Sequence, residues 1–296
     1  MNRPVEERLS PPRVLSHLGV MALVSAVMGL LVAGLAIPFT GALGLGASQV
    51  AKSVDNLPAE LQTDDLPQRT LMVDKAGNNI ATIFDQNRIN IPLRQISRTM
   101  VTAILAIEDY RFYQHGALDL KGTLRALITN QASNGVVQGG SSITQQLVKL
   151  TLIQQGTKAE QAAATDDTYA RKIRELRYAI ALEQEHSKDW ILERYLNIAY
   201  FGQGAWGIQA AAKHYFDKDA KSLNLRQSAM LAGLVKNPVG YDPSLAPDKA
   251  LTRRDTVLVR MAELGAIPRE EADRAMSHGL GLDLSLIHIS EPTRPY

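Results

Sequence analysis

Three short stretches of this 296-residue chain combine side chains that can move a proton with side chains and backbone that can hold phosphate. The first, Glu108-Asp109-Tyr110-Arg111-Phe112-Tyr113-Gln114-His115, follows an apolar stripe of Met100, Ala103, Ile104 and Ile107 at helical spacing. A carboxylate at the rim of such a helix loses part of its hydration, which raises its pKa and suits it to general-base work. The second, Gly139-Gly140-Ser141-Ser142-Ile143-Thr144-Gln145-Gln146-Leu147-Val148-Lys149, places two glycines ahead of a helix start marked by Ser142 and Gln145 at capping-box spacing. Backbone N–H groups at such a start, with the positive end of the helix behind them, form a site for phosphate oxygens. Ser142, Gln146 and Lys149 stand at i, i+4 and i+7, on one helix face. The third, Arg171-Lys172-Ile173-Arg174-Glu175, sets two cations three and four residues from a carboxylate. Taken singly, each stretch has a plainer reading: a solvated helix end, a capped helix with a polar face, and an exposed ion-pair ladder worth roughly a few tenths of a kcal/mol.

In series these stretches resemble the motifs of the peptidoglycan glycosyltransferases of glycosyltransferase family 51, the module of class A penicillin-binding proteins and of monofunctional transglycosylases. Later stretches fit the same pattern: Ile191-Leu192-Glu193, Tyr195-Leu196-Asn197, Phe201-Gly202, Gly204, Gly207, Tyr215-Phe216, Leu231-Ala232-Gly233-Leu234 and Asn237-Pro238. These read mainly as packing, with Glu193 structural and the glycines permitting a tight turn. The resemblance implies a mainly α, lysozyme-like helical domain with a small β-hairpin, preceded by one transmembrane helix. It implies an enzyme that polymerises lipid II into β-1,4-linked glycan with inversion, releasing undecaprenyl diphosphate. By the same resemblance Glu108 is the general base and Glu175 acts near the leaving group. Asp109, Phe112, His115, Ser142, Gln146, Lys149, Arg171 and Lys172 then bind substrate, the basic pair at the diphosphate. Whether Glu175 works through a divalent cation, Mg or Mn, or by orienting the basic residues stays open at this level.

The likeness covers the chain from Ile80 to Met276, with departures. His115-Gly116-Ala117-Leu118-Asp119 moves the glycine of the usual His-x-Gly-x-Asp, Ser142 replaces a threonine, Leu150 an asparagine and Asp217 a glycine. Thr157 to Thr168 interrupts the series with a polar, alanine-rich stretch, expected to be a mobile surface insertion.

The elements that must position these groups follow from hydropathy and turn signals. Residues 14–46 carry no charged side chain and are long enough to cross a bilayer as a helix. Arg3, Arg8 and Arg13 precede them, which predicts a cytoplasmic tail over 1–13 and an extracytoplasmic remainder. Residues 47–69 read as a tether. Residues 70–92 read as a β-hairpin, two apolar runs flanking Lys75-Ala76-Gly77-Asn78-Asn79. Helical periodicity fills the glycosyltransferase domain at 93–284, including a stripe of Leu120, Leu124, Leu127 and Ile128 capped by Asp119. A last helix pair runs over 247–264 and 268–276, with Gly265 ending the first and Pro268 starting the second. Residues 285–296 share no pattern with what precedes them and read as an artefactual tail.

Composition narrows the function classes. The formal net charge is +2, so no overall basic field recruits nucleic acid, and the absence of cysteine removes disulfides, thiolate metal sites and a cysteine nucleophile. The expected partners are lipid II, the growing glycan strand, the membrane and other cell-wall synthesis proteins, at the bacterial cytoplasmic membrane. Neither Ser-x-x-Lys nor Lys-Thr-Gly, the marks of a transpeptidase, occurs here, and the hairpin and foreign tail lead us to expect a longer, bifunctional parent. Two alternatives remain: a lysozyme-like enzyme that cleaves glycan, and a membrane-tethered scaffold without turnover.

Overall fold

A computed structural model describes residues 61, 63–117, 141–166 and 168–284. The expected membrane helix, the Asp119-capped helix, Gly139-Gly140 and the C-terminal tail lie outside the described residues. Among the described residues no helix is long and apolar enough to cross a membrane.

The domain is mainly helical. Helix α1 (Arg98–Glu108) starts at Ser97, whose hydroxyl accepts from the Met100 amide at 3.1 Å. Helix α2 (Ile143–Gln155) starts at Ser142, which accepts from the Gln145 amide at 3.2 Å. The capping box is not closed, because the Gln145 side chain donates to the Ala117 carbonyl at 3.0 Å instead. After α3 (Lys158–Thr165) come α4 (Tyr169–Glu185), α5 (Lys188–Ile198), α6 (Ile208–Phe216), α7 (Leu225–Leu234), α8 (Pro247–Glu263) and α9 (Arg269–Met276). Their apolar stripes meet in one core. Helix α7 packs on α1 and α8, while α2 packs on α3, α4 and α5. Met100, Ile104, Leu147, Val148, Tyr195, Leu196, Leu231, Leu258 and Met261 are buried in it.

Strands β1 (Thr70–Val73) and β2 (Asn79–Ile83) form the expected antiparallel hairpin, with a register irregularity between Met72 and Val73. Asp74 closes the turn by accepting from the amides of Ala76 and Asn78. Strand β3 (Asn87–Arg88) pairs in parallel with β4 (Ala205–Trp206), which ties the chain entering the domain to the segment between α5 and α6. In that segment Gly202 and Gly207 have φ of +95° and +79°. A Cβ there would stand 2.8 Å from Tyr215 Oη and 2.7 Å from the Asn197 carbonyl oxygen, so only glycine fits. Asp217 caps α6 at φ +47°, the left-handed position a glycine would take without strain.

Two expectations need correction. Thr157–Thr168 contains a helix, α3, because Thr157 and Glu160 complete a capping box and Ala164 is buried against the core. The end of the expected tether is bolted down rather than loose. Leu61 and Leu66 are buried, Arg88 donates to the Pro67 carbonyl, and Gln155 and Arg194 both donate to the Asp64 carbonyl. The closing helix pair is as expected, with Pro247 in the first turn of α8, Gly265 at φ +68° after it, and Pro268 at the cap of α9.

Candidate active site

Glu108 is the last residue of α1, where the buried face of the helix runs out, and its side chain is half-buried. Its Oε2 accepts from Gln146 Nε2 of α2 at 2.9 Å, and Gln146 Oε1 accepts from the Tyr195 hydroxyl of α5 at 3.0 Å. Oε1 has no hydrogen bond among the described residues. Burial pushes the Glu108 carboxyl above its ordinary pKa. The Gln146 bond and the positive charges of Arg253 and Lys236 oppose that shift, and the charge of Asp109 adds to it. Tyr195 is fully buried, and burial with the charge of Glu108 lifts its phenol well above the usual range, so it serves as a fixed donor.

Asp109, next in the chain, turns inward. It accepts from His115 Nε2 at 2.7 Å on one oxygen and from the Ile143 amide at 3.2 Å on the other. That second bond ties the segment after α1 to the first turn of α2, where a carboxylate also offsets the helix dipole. Phe112 is 1% exposed and stacks edge-on with Tyr113, so its ring presents no face to a ligand. Ser142 Oγ is spent on its cap and on the Ala117 carbonyl. Asp109, Phe112, His115 and Ser142, all expected to bind substrate, are thus each engaged by neighbours in the fold.

Helix α4 carries the cationic side. Glu175 is 1% exposed; its Oε1 receives Arg171 Nη1 at 2.6 Å and its Oε2 receives Lys172 Nζ at 3.0 Å. The expected ladder is thus a buried clamp rather than a surface ornament. Arg171 also donates through Nε to the Asp166 carbonyl. Lys172 is 46% exposed and reaches Ser141 Oγ at 2.7 Å, just ahead of α2. Lys149 of α2 is half-buried and forms no salt bridge among the described residues.

The start of α2 therefore meets both kinds of chemistry. Gln146 on the helix holds the carboxylate of Glu108, and Ser141, just ahead of the Ser142 cap, meets Lys172. Both oxygens of Glu175 carry cationic partners, and among the described residues no group of three His, Cys, Asp or Glu side chains is placed to hold a metal ion.

Sequence reasoning passed over three contributors. Tyr195 was legible as a core residue, but its hydroxyl partner lies 49 positions away. Lys236, after α7, and Arg253, on α8, act on Glu108 through space from far along the chain. Lys236 closely follows the buried helix α7, and the Arg253 side chain packs at Gly233 of that helix and donates to its carbonyl at 3.3 Å.

A family model described as Transglycosylase matches residues 76–262, and that span includes every group just described. The chain belongs to the transglycosylase family. Among its relatives are penicillin-binding protein 1F of Bacillus subtilis, 41% identical over 71% of this chain and 28% of that protein, and penicillin-binding protein 2D of the same organism, 36% identical over 78% and 32%. Penicillin-binding protein 1A of Aquifex aeolicus is 37% identical over 75% of this chain and 29% of its own length. This transglycosylase chain spans about a third or less of these relatives. A crystal structure of penicillin-binding protein 1A from Haemophilus influenzae aligns with 75% of this chain and 22% of that one, at 22% identity and a TM-score of 0.41.

Proposed function

We propose that this chain is the glycosyl-transferring module of a cell-wall synthase, with a lysozyme-like helical fold, joining lipid II units into β-1,4-linked glycan with inversion and release of undecaprenyl diphosphate. One observation supports it above the rest: a partly desolvated carboxylate, one of whose oxygens has no hydrogen bond among the described residues, and a clamped cationic pair both meet the start of α2.

In this reading the 4-hydroxyl oxygen of the acceptor sugar attacks the anomeric carbon of the donor. The bond from that carbon to the diphosphate oxygen breaks, and its electron pair leaves with the diphosphate. The hydroxyl proton passes to Glu108 Oε1. Burial, which holds the Glu108 carboxyl up, strengthens it as a base, and the Tyr195–Gln146 relay fixes its other oxygen. Charge growing on the diphosphate meets Lys172, Lys149 and Arg171, positioned before the reaction begins and so needing no reorganisation during it. Glu175 acts by holding Arg171 and Lys172, not by touching the sugar.

The setting follows from the same reading. Residues 14–46 anchor the chain in the bacterial cytoplasmic membrane with the N-terminus inside, and the domain works on the outer face, where lipid II and the growing strand arrive by lateral diffusion. The test supplies the purified full chain, in lipid vesicles, with labelled lipid II, and separately with purified sacculi. Polymer from lipid II and intact sacculi are expected. Soluble fragments from sacculi without polymer would replace this reading with glycan cleavage, and tight lipid II binding without turnover would replace it with a scaffold.

A further inference from the structure

Outside the groups described so far, one carboxylate is engaged where several motif-bearing segments meet. Glu183 lies on α4, eight residues beyond Glu175. Its Oε1 accepts from the Thr144 hydroxyl and from Lys188 Nζ, the latter at 2.7 Å, and its Oε2 lies 3.8 Å from where a Cβ would stand on Gly116. Lys188 Nζ in turn sits 4.4 Å from the centre of the Phe112 ring. The side chains of Glu183 and Lys188 are 12% and 21% exposed, so water screens this pair less than a surface ladder.

Four segments converge there: the turn that follows Glu108, the first turn of α2, the end of α4 and the start of α5. The amide of Ile143 is held by Asp109, and the hydroxyl of its neighbour Thr144 by Glu183. Two carboxylates thus grip the first turn of α2, at the end where the helix dipole favours negative charge. Gln146, which bonds Glu108, is two residues further on.

We propose that Glu183 is a positioning residue for the transfer reaction: through Thr144 and Lys188 it sets the first turn of α2 against the Phe112–Gly116 turn, so that Gln146 meets Glu108 in register. This rests on the glycan-polymerising reading above. The charged and titratable groups that act on Glu108 are Asp109 beside it, Arg253 from α8, Lys236 after α7 and Tyr195 from α5, with Gln146 bonded to it. Glu183 and Lys188 are not among them, and the route proposed from Glu183 to the base is the placement of Gln146.

The full chain in lipid vesicles is assayed with lipid II across pH as wild type, Glu183→Gln, Gln146→Ala and the double variant, with hydrogen exchange of Phe112–Ala117 measured on each. Glu183→Gln keeps an acceptor for Thr144 and strips Lys188 of its counter-charge. It is expected to lower kcat about 10-fold with KM little changed, in line with the cost of sub-ångström misplacement. It should also move the acid limb of the kcat/KM profile to higher pH, as Gln146→Ala does, speed exchange in Phe112–Ala117, and add almost nothing in the Gln146→Ala background. Wild-type kcat with an unmoved limb in Glu183→Gln, or a loss that multiplies in full with Gln146→Ala, overturns the proposal. A wild-type chain that makes no polymer would sink the functional reading alone; unchanged exchange in Phe112–Ala117 would then still refute the role of Glu183.

Discussion

Removing a single oxygen from Tyr195 probes the relay behind the base without touching any group that meets substrate. Tyr195→Phe keeps the ring, which is fully buried, and deletes the hydroxyl that donates to Gln146 Oε1 at 3.0 Å. The Gln146 carbonyl then stays shielded without its donor, a loss of about 1 to 3 kcal/mol in stability. At about 3 °C per kcal/mol for a domain of this size, the Tm falls by about 3 to 9 °C. The catalytic consequence follows from the second bond of the relay. A looser Gln146 donates less well to Glu108, and since that bond holds the carboxyl down against the effect of burial, its pKa rises further. A base must be deprotonated to work, so the acid limb of the kcat/KM profile moves to higher pH and the rate just above that limb falls, while the alkaline plateau is nearly kept. Thermal unfolding and polymerisation of lipid II across pH measure both effects. An unchanged Tm together with an unmoved acid limb would refute the relay.

Further outcomes are expected. Glu108→Gln should raise the Tm at neutral and alkaline pH: the folded-state pKa of Glu108 is raised, so the ionised carboxylate costs stability as pH rises through its titration, and the gain should vanish in acid, where both states are protonated. Gly207→Ala should cost several kcal/mol or abolish folding, since the new Cβ meets the Asn197 carbonyl at 2.7 Å in a positive-φ conformation; soluble expression and Tm report it. Glu175→Gln should leave Arg171 and Lys172 without their clamp, cost about 3 kcal/mol for a mostly buried pair, and weaken lipid II binding more than Lys172→Met does; binding isotherms and unfolding curves compare them.

The framework of the site was legible because its cues are local. The stripe of Met100, Ala103 and Ile104 ends where Glu108 must leave the core, Ser142 caps α2 as its position suggested, and the three- and four-residue spacings at Arg171, Lys172 and Glu175 became bonds of 3.0 and 2.6 Å. Glu193, expected to be structural, accepts from the Leu93 amide at 2.7 Å. What spacing could not convey is the direction a polar side chain takes once the helices pack. Asp109, His115 and Ser142 have the types that bind sugar phosphates, and their polar atoms also bond neighbours that only the tertiary fold supplies. The same limit hid Tyr195, Lys236, Arg253 and Glu183, each acting across a long stretch of chain. The low hydrophobicity of Thr157–Thr168 masked a capping box whose helix needs only Ala164 to dock.

Single-turnover polymerisation of purified lipid II by the wild type and by Glu108→Gln tests the central claim most directly. The account predicts a loss of at least about 100-fold in rate with lipid II binding retained, the contribution of a positioned general base. Polymer formed by Glu108→Gln at the wild-type rate would contradict it.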